Sequence, residues 1–191
     1  MIKKPIGTTY YYEDFINDSE KDELLKWSLD SIEYMDFAKP VNGEKDQNES
    51  VVRHFIKLSQ LKFVPDLVYK LKETIIKLEQ ISPAITDPAN EDLISAVGDG
   101  GYVEPHIDYN GMDETYYTRR YNLLLSLPTD GGQPIYNGRV LNLNVKSIWR
   151  CDAGLYTHSS VINSGGGIRI NLSFGFMIPK IIKSKTLNTL I

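Results

Sequence analysis

The stretch Ile168-Arg169-Ile170-Asn171-Leu172-Ser173-Phe174-Gly175-Phe176 alternates apolar and polar residues without a break. Side chains two apart share one face of a strand, so Ile168, Ile170, Leu172, Phe174 and Phe176 predict a core face, with Arg169, Asn171, Ser173 and Gly175 on the other. Working back along the chain, Arg120 to Leu127 repeats the pattern, with Tyr121, Leu123, Leu125 and Leu127 set against Arg120, Asn122, Leu124 and Ser126. From about Leu93 onward, turn residues at Gly98 to Gly101, Asn110-Gly111, Asp130-Gly131-Gly132, Asn137-Gly138 and Gly165 to Gly167 separate short apolar runs. Short strands divided by frequent turns predict a β-sandwich of jelly-roll type.

Further upstream the spacing changes to that of helices. Glu20 to Ile32 predicts a helix with Leu25, Leu29 and Ile32 on its buried stripe, Asp18 and Ser19 as candidate caps and acids in the first turn. Val64, Leu67, Val68, Leu71, Ile75 and Leu78 predict a second, with Pro65 in its first turn and Ser82-Pro83 ending it. The polar segment Phe37 to Ser50 reads as an exposed loop. The expected architecture is mainly β with supporting α-helices, in one domain over residues 1–191: mostly helical support over 1–90 and a jelly-roll core over 91–180.

A lone cysteine, Cys151, cannot form an internal disulfide and is expected as a small buried hydrophobe in a soluble, cytoplasmic protein. No apolar run is long enough to span a bilayer, so no membrane partner is expected. The net charge of -4, with lysines and arginines scattered among acids, speaks against a nucleic-acid partner. Oligomeric state is not legible.

Chemistry concentrates at Pro105-His106-Ile107-Asp108-Tyr109 and Thr157-His158-Ser159. On an extended chain His106 and Asp108 point to the same side, and His158 completes a 2-His-1-carboxylate set. Such a set covers one face of an octahedral ion and leaves the other open, the arrangement suited to iron(II) and dioxygen. Arg169 and Arg120 lie on the polar faces of the two alternating runs, and a guanidinium turned into a pocket fits a carboxylate. His54 shows no partner in the sequence and is read as a structural polar residue. Asn142, Asn144 and Trp149 are equally well explained as strand residues or as part of a substrate pocket, and Asn110 to Thr118, with Tyr116 and Tyr117, as a surface loop or a lid.

The order His106, Asp108, His158, Arg169 resembles the non-haem Fe(II), 2-oxoglutarate-dependent dioxygenases, over residues 93 to 178. The resemblance implies a double-stranded β-helix of cupin-like type, iron held by His106, Asp108 and His158, and Arg169 on the distal carboxylate of 2-oxoglutarate. Within that superfamily the chain looks most like the aspartyl/asparaginyl β-hydroxylase and free-proline hydroxylase branch: Ser95 takes the place of a serine before the first metal histidine, and Arg120-Tyr121-Asn122-Leu123 that of an arginine-led strand. This implies that Ser95, Arg120, Asn122 and Arg169 bind 2-oxoglutarate. Asn122 stands where the branch often has histidine, and Ser147 to Tyr156 departs from its usual pattern. The implied activity is hydroxylation of an amino acid, peptide side chain or other small molecule with release of succinate and CO2. Competing readings are a zinc hydrolase built on the same three ligands and a non-catalytic jelly-roll domain that binds carbohydrate or serves structure. A nucleic-acid demethylase would resemble its relatives in a second arginine six residues after the first, where this chain has Gly175.

Overall fold

Strand pairing begins at the N-terminus, where Ile2–Ile6 (β1) and Thr9–Glu13 (β2) form a hairpin. The computed structural model describes residues 2–37, 53–89, 91–108 and 115–180. Along the chain follow α1 (Asp18–Asp30), β3 (Asp36–Phe37), β4 (Arg53–Lys57), α2 (Asp66–Glu79), β5 (Ile85–Thr86), β6 (Leu93–Val97) and β7 (Tyr116–Ser126). The remainder is β8 (Pro134–Tyr136), β9 (Arg139–Val140), β10 (Ile148–Cys151), β11 (His158–Ser160) and β12 (Arg169–Pro179). The large sheet runs β1-β2-β10-β7-β12-β6-β4-β3, with β5 also paired to β12, and the small sheet runs β11-β8-β9, all antiparallel. The expected jelly-roll sandwich is therefore present, with its helices on one side.

The large sheet separates two cores. On one face Leu123, Ile148, Ile170, Leu172, Phe174 and Phe176 pack with Leu24 and Trp27 of α1 and Val68, Leu71 and Ile75 of α2. On the other, Leu124, Trp149 and Cys151 meet Tyr136, Leu141, Leu143 and Ala153. Cys151 is fully buried there, as expected of a small hydrophobe.

Several expectations are corrected. The described part of the first ninety residues is not helical support alone: besides α1 and α2 it holds five strands, four of them in the path of the large sheet and β5 beside it. Helix α1 starts earlier than expected, capped by Asn17, whose side chain accepts from Glu20 N while the Glu20 carboxylate accepts from Asn17 N. Its buried residues are Leu24, Trp27 and Ser28, Leu25 and Ile32 pack at the margin, and Leu29 stays 43% exposed. The reason is local: Ser28 and Ser31 are buried on the packing face, Ser31 Oγ donating to Trp27 O at 2.8 Å, and two serines hide a stripe from an apolar count. Helix α2 follows its predicted stripe, though Leu78 is exposed, and ends at Gln80 in the left-handed conformation.

Leu127 does not share the face of Tyr121, Leu123 and Leu125. The pairing of β7 with β12 skips Leu125 between Ser126↔Ile170 and Leu124↔Asn171, and this bulge turns the following residues over, so Leu127 packs with Leu124. Tyr116 to Thr118, expected in a loop, begin β7. The rest of that loop, 110–114 together with Thr115, falls mainly outside the described residues, as does all but Phe37 of the loop expected over 37–50. Among the described residues no helix is long and apolar enough to cross a membrane.

Candidate metal and anion site

The second face of the large sheet, toward the small sheet, carries the polar half of each alternating strand. Cross-strand register sets Ser173 beside Asn122 and Leu93, Asn171 beside Ser95, and Asn122 beside Trp149, so these side chains leave the sheet on one side. They border a cavity of about 320 Å³.

His106, Asp108 and His158 meet at its rim. Two short backbone bonds hold the segments together: His106 N donates to His158 O at 3.1 Å and His158 N to His106 O at 2.9 Å. Asp108 N donates to Ala153 O at 2.9 Å, which fixes the carboxylate's root next to the turn before β11. Asp108 Oδ1 lies 3.3 Å from His106 Nε2 and 3.5 Å from His158 Nε2, and one donor atom from each of the three falls within 4.8 Å of the others. Ligand atoms about 2.1 Å from a common ion stand roughly 3 to 3.5 Å apart, and the separation of Asp108 Oδ1 from each histidine nitrogen, 3.3 and 3.5 Å, is that expected of ligands sharing one divalent ion. His106 Nδ1 is 2.7 Å from Glu104 O, to which it donates as the Nδ1–H tautomer, leaving the Nε2 lone pair for an ion.

The electrostatics favour the ligating forms. Burial pushes the Asp108 carboxyl up, but His106, Arg120 and His158 together outweigh it and hold it well below the usual carboxylate range. Burial pushes His158 down to about 4 against the opposing pull of Asp108, so its imidazole is neutral at ordinary pH.

Arg120 is occupied differently from what the sequence implied. Its Nε donates to Asp108 Oδ2 at 2.7 Å, one terminal nitrogen to Asp87 Oδ2 at 3.1 Å, and the other to Ser173 Oγ and Glu91 O, both at 3.2 Å. The guanidinium thus links the second oxygen of Asp108 to a fully buried acid and leaves Oδ1 facing the histidines. Gly175 makes the approach possible: a Cβ there would lie 2.7 Å from Glu91 O and 3.3 Å from the Arg120 guanidinium. Asp87, in Thr86-Asp87-Pro88, gave no sign in the sequence, since an acid before a proline reads as a turn.

Arg169 borders the same cavity, is 4% exposed, and its Nε has no acceptor among the described residues. Burial first, then the neighbouring Arg53, pushes it down to about 10. Ser95 Oγ and Asn171 Oδ1 are likewise buried without partners, while Asn122 Oδ1 accepts from Asn171 Nδ2 at 3.2 Å. Arg53, which the helical reading of the first half obscured, enters the cavity from β4. The short alternating run Arg53-His54-Phe55-Ile56-Lys57 is the signal that could have found it. His54 points to the opposite face of β4. Trp149 lines the cavity, whereas Asn142 and Asn144 are not among its walls.

No protein-family model matches the chain, and no curated protein is recognisably similar in sequence. Solved structures are similar to it in fold. A prolyl-4-hydroxylase of Pseudomonas putida aligns with a TM-score of 0.57 at 15% identity, covering 89% of this chain and 91% of that one. A prolyl hydroxylase of Trichoplax adhaerens, solved with a hypoxia-inducible-factor peptide, aligns with a TM-score of 0.64 at 11% identity over 88% and 82%. HygX of Streptomyces hygroscopicus, solved with nickel and 2-oxoglutarate, aligns with a TM-score of 0.59 at 10% identity over 91% and 83%. At such identities the likeness is one of architecture: the chain has the jelly-roll fold that these hydroxylases and this 2-oxoglutarate-binding protein share.

Proposed function

We propose that the protein is an Fe(II)- and 2-oxoglutarate-dependent oxygenase that hydroxylates an amino acid, a peptide side chain or another small molecule. The observation that carries this reading is the convergence of His106, Asp108 and His158 at the rim of a cavity that also holds the buried, unanswered guanidinium of Arg169. When bound, iron(II) with 2-oxoglutarate and dioxygen supplies oxidative decarboxylation to succinate and CO2 and the delivery of an oxygen atom to a C–H bond. His106, Asp108 and His158 are the metal ligands in this reading. Arg169 takes the distal carboxylate of 2-oxoglutarate, and Ser95, Asn122 and Asn171 offer polar atoms along its length. Arg120 acts as a positioning residue, because its donors are taken by Asp87, Asp108, Ser173 and Glu91 O. The fold's occurrence in prolyl hydroxylases and in HygX supports the class. The narrower placement in the aspartyl/asparaginyl and free-proline branch loses Arg120 as a 2-oxoglutarate contact once Arg120 is assigned to Asp108 and keeps Ser95 and Arg169, with Asn122 where the branch often has histidine.

Purified protein supplied with Fe(II), ascorbate and 2-oxoglutarate is expected to release succinate slowly without added substrate. His106→Ala and Asp108→Ala are each expected to abolish that release, and undiminished succinate from both variants would overturn the assignment.

A further inference from the structure

Three arginines border the cavity, and among the described residues two of them pair with no acid. Arg120 is answered by Asp87 and Asp108. Arg53 of β4 and Arg169 of β12 both pair in register with Val97 of β6, one from each side, so their side chains rise from the same face of the sheet. Both enter the cavity, both have a buried Nε with no acceptor, and neither makes an ion pair among the described residues. The Asp108 and Glu104 carboxylates act on Arg53 only through space, and Arg120 opposes them.

A buried excess of positive charge is costly unless a ligand answers it. Among the described residues the acids paired with the three arginines are Asp87 and Asp108, so a divalent ion at the triad leaves three positive charges without a paired acid. A 2-oxoglutarate dianion answers two of them. The third calls for a second anion in the same cavity. The positions divide the work: Arg169 lies on a central strand and is almost fully buried, whereas Arg53 lies on β4, one strand from the sheet's β3 edge, and is only partly buried.

We propose that Arg53 binds a carboxylate of the substrate, which makes the substrate class small molecules bearing a free carboxylate. The inference rests on the assignment of the triad and Arg169 given above. Arg53 is then a specificity-determining residue whose fork grips one end of the substrate and so fixes which C–H bond faces the metal.

The test uses free L-amino acids and their C-terminal amides as matched probes, offered to protein loaded with zinc and 2-oxoglutarate, with binding followed by calorimetry. Succinate release with Fe(II) is read in parallel. Some acids are expected to bind at least tenfold more tightly than their amides, and the preference to disappear in Arg53→Gln and persist in part in Arg53→Lys. The dissociation constant of 2-oxoglutarate, expected to change less than threefold in both variants, also shows that they fold. Three results would overturn the proposal: no acid preferred over its amide, a preference that survives Arg53→Gln, or a tenfold loss of 2-oxoglutarate affinity in both folded variants. The last would mean that Arg53 and Arg169 grip one carboxylate together. Wild-type protein that neither binds 2-oxoglutarate nor releases succinate would instead remove the functional assignment itself.

Discussion

The two faces of β12 are equally buried and chemically opposite. On the helix side Ile170, Leu172, Phe174 and Phe176 are sealed in hydrocarbon. On the cavity side Arg169, Asn171 and Ser173 are nearly as inaccessible, yet Arg169 Nε and Asn171 Oδ1 lack partners. Folding alone does not explain the second face, since burying polar groups without partners works against stability. Apolar burial on one side therefore offsets the cost of holding empty polar groups on the other. The protein behaves as a stable wall with a reactive surface mounted on it.

Paired substitutions on opposite faces of the strand can break that contrast. Phe174→Ala should destabilise the protein by about 3 to 5 kcal/mol, the usual cost of removing a buried aromatic ring, as measured by urea unfolding. Arg169→Met should leave stability unchanged or raise it by roughly 1 to 4 kcal/mol, because a buried charge without a counter-charge is replaced by hydrocarbon. In the same variant 2-oxoglutarate affinity should fall by about 2 to 5 kcal/mol. If Arg169→Met unfolds as readily as Phe174→Ala, the cavity face is packing and the contrast is lost.

A smaller effect is expected one step behind the metal. Arg120 holds Asp108 Oδ2 and is itself held by Asp87, so Arg120→Lys keeps the charge but cannot reach Asp108, Asp87 and Ser173 together. Loss of such an orienting partner typically costs about 10 to 100-fold in metal affinity. Metal titration of Arg120→Lys should show that loss with 2-oxoglutarate affinity measured at saturating metal left nearly unchanged. A large fall in 2-oxoglutarate affinity at saturating metal would instead restore the direct contact implied by the sequence resemblance.

What could be read in the chain beforehand follows from periodicity. The run Ile168 to Phe176 is legible because β12 is eleven residues long and each face has a single character. The His106, Asp108 and His158 grouping is legible because two of its members stand two residues apart, on the same side of an extended chain. The first half conceals its strands because they are short and mixed: Ile2–Ile6 contains two lysines and a proline, and Thr9–Glu13 holds three tyrosines in succession. Arg53 disappears with them. The task of Arg120 was illegible for another reason, since alternation specifies which face a side chain takes but not which acid it meets. Asp87 reaches it from 33 residues away in the chain.

The helix side has a polar cluster as well, and it sharpens the contrast because its groups are satisfied. The Glu79 carboxylate, at the end of α2, accepts hydrogen bonds from Tyr10, Tyr12 and Tyr121, the last at 3.0 Å, and Lys3 stands 3.5 Å away. Burial pushes Glu79 up, but the tyrosine hydroxyls and Lys3 prevail and hold it below its ordinary value, while burial and then Glu79 raise Tyr12 to about 12. A carboxylate with a depressed folded-state pKa contributes stability that is fully present above its unfolded value and is lost as pH falls through the folded one. Unfolding free energy should therefore decline below about pH 4.5, the ordinary range of a glutamate. Glu79→Gln keeps an acceptor oxygen but loses the charge, so it should cost about 1 kcal/mol at neutral pH and flatten that acid decline. It should leave 2-oxoglutarate binding untouched, because Glu79 belongs to the wall and not to the cavity. An acid decline of the same steepness in Glu79→Gln would show that the cluster ties the β1–β2 hairpin to α2 without contributing to the protein's pH dependence.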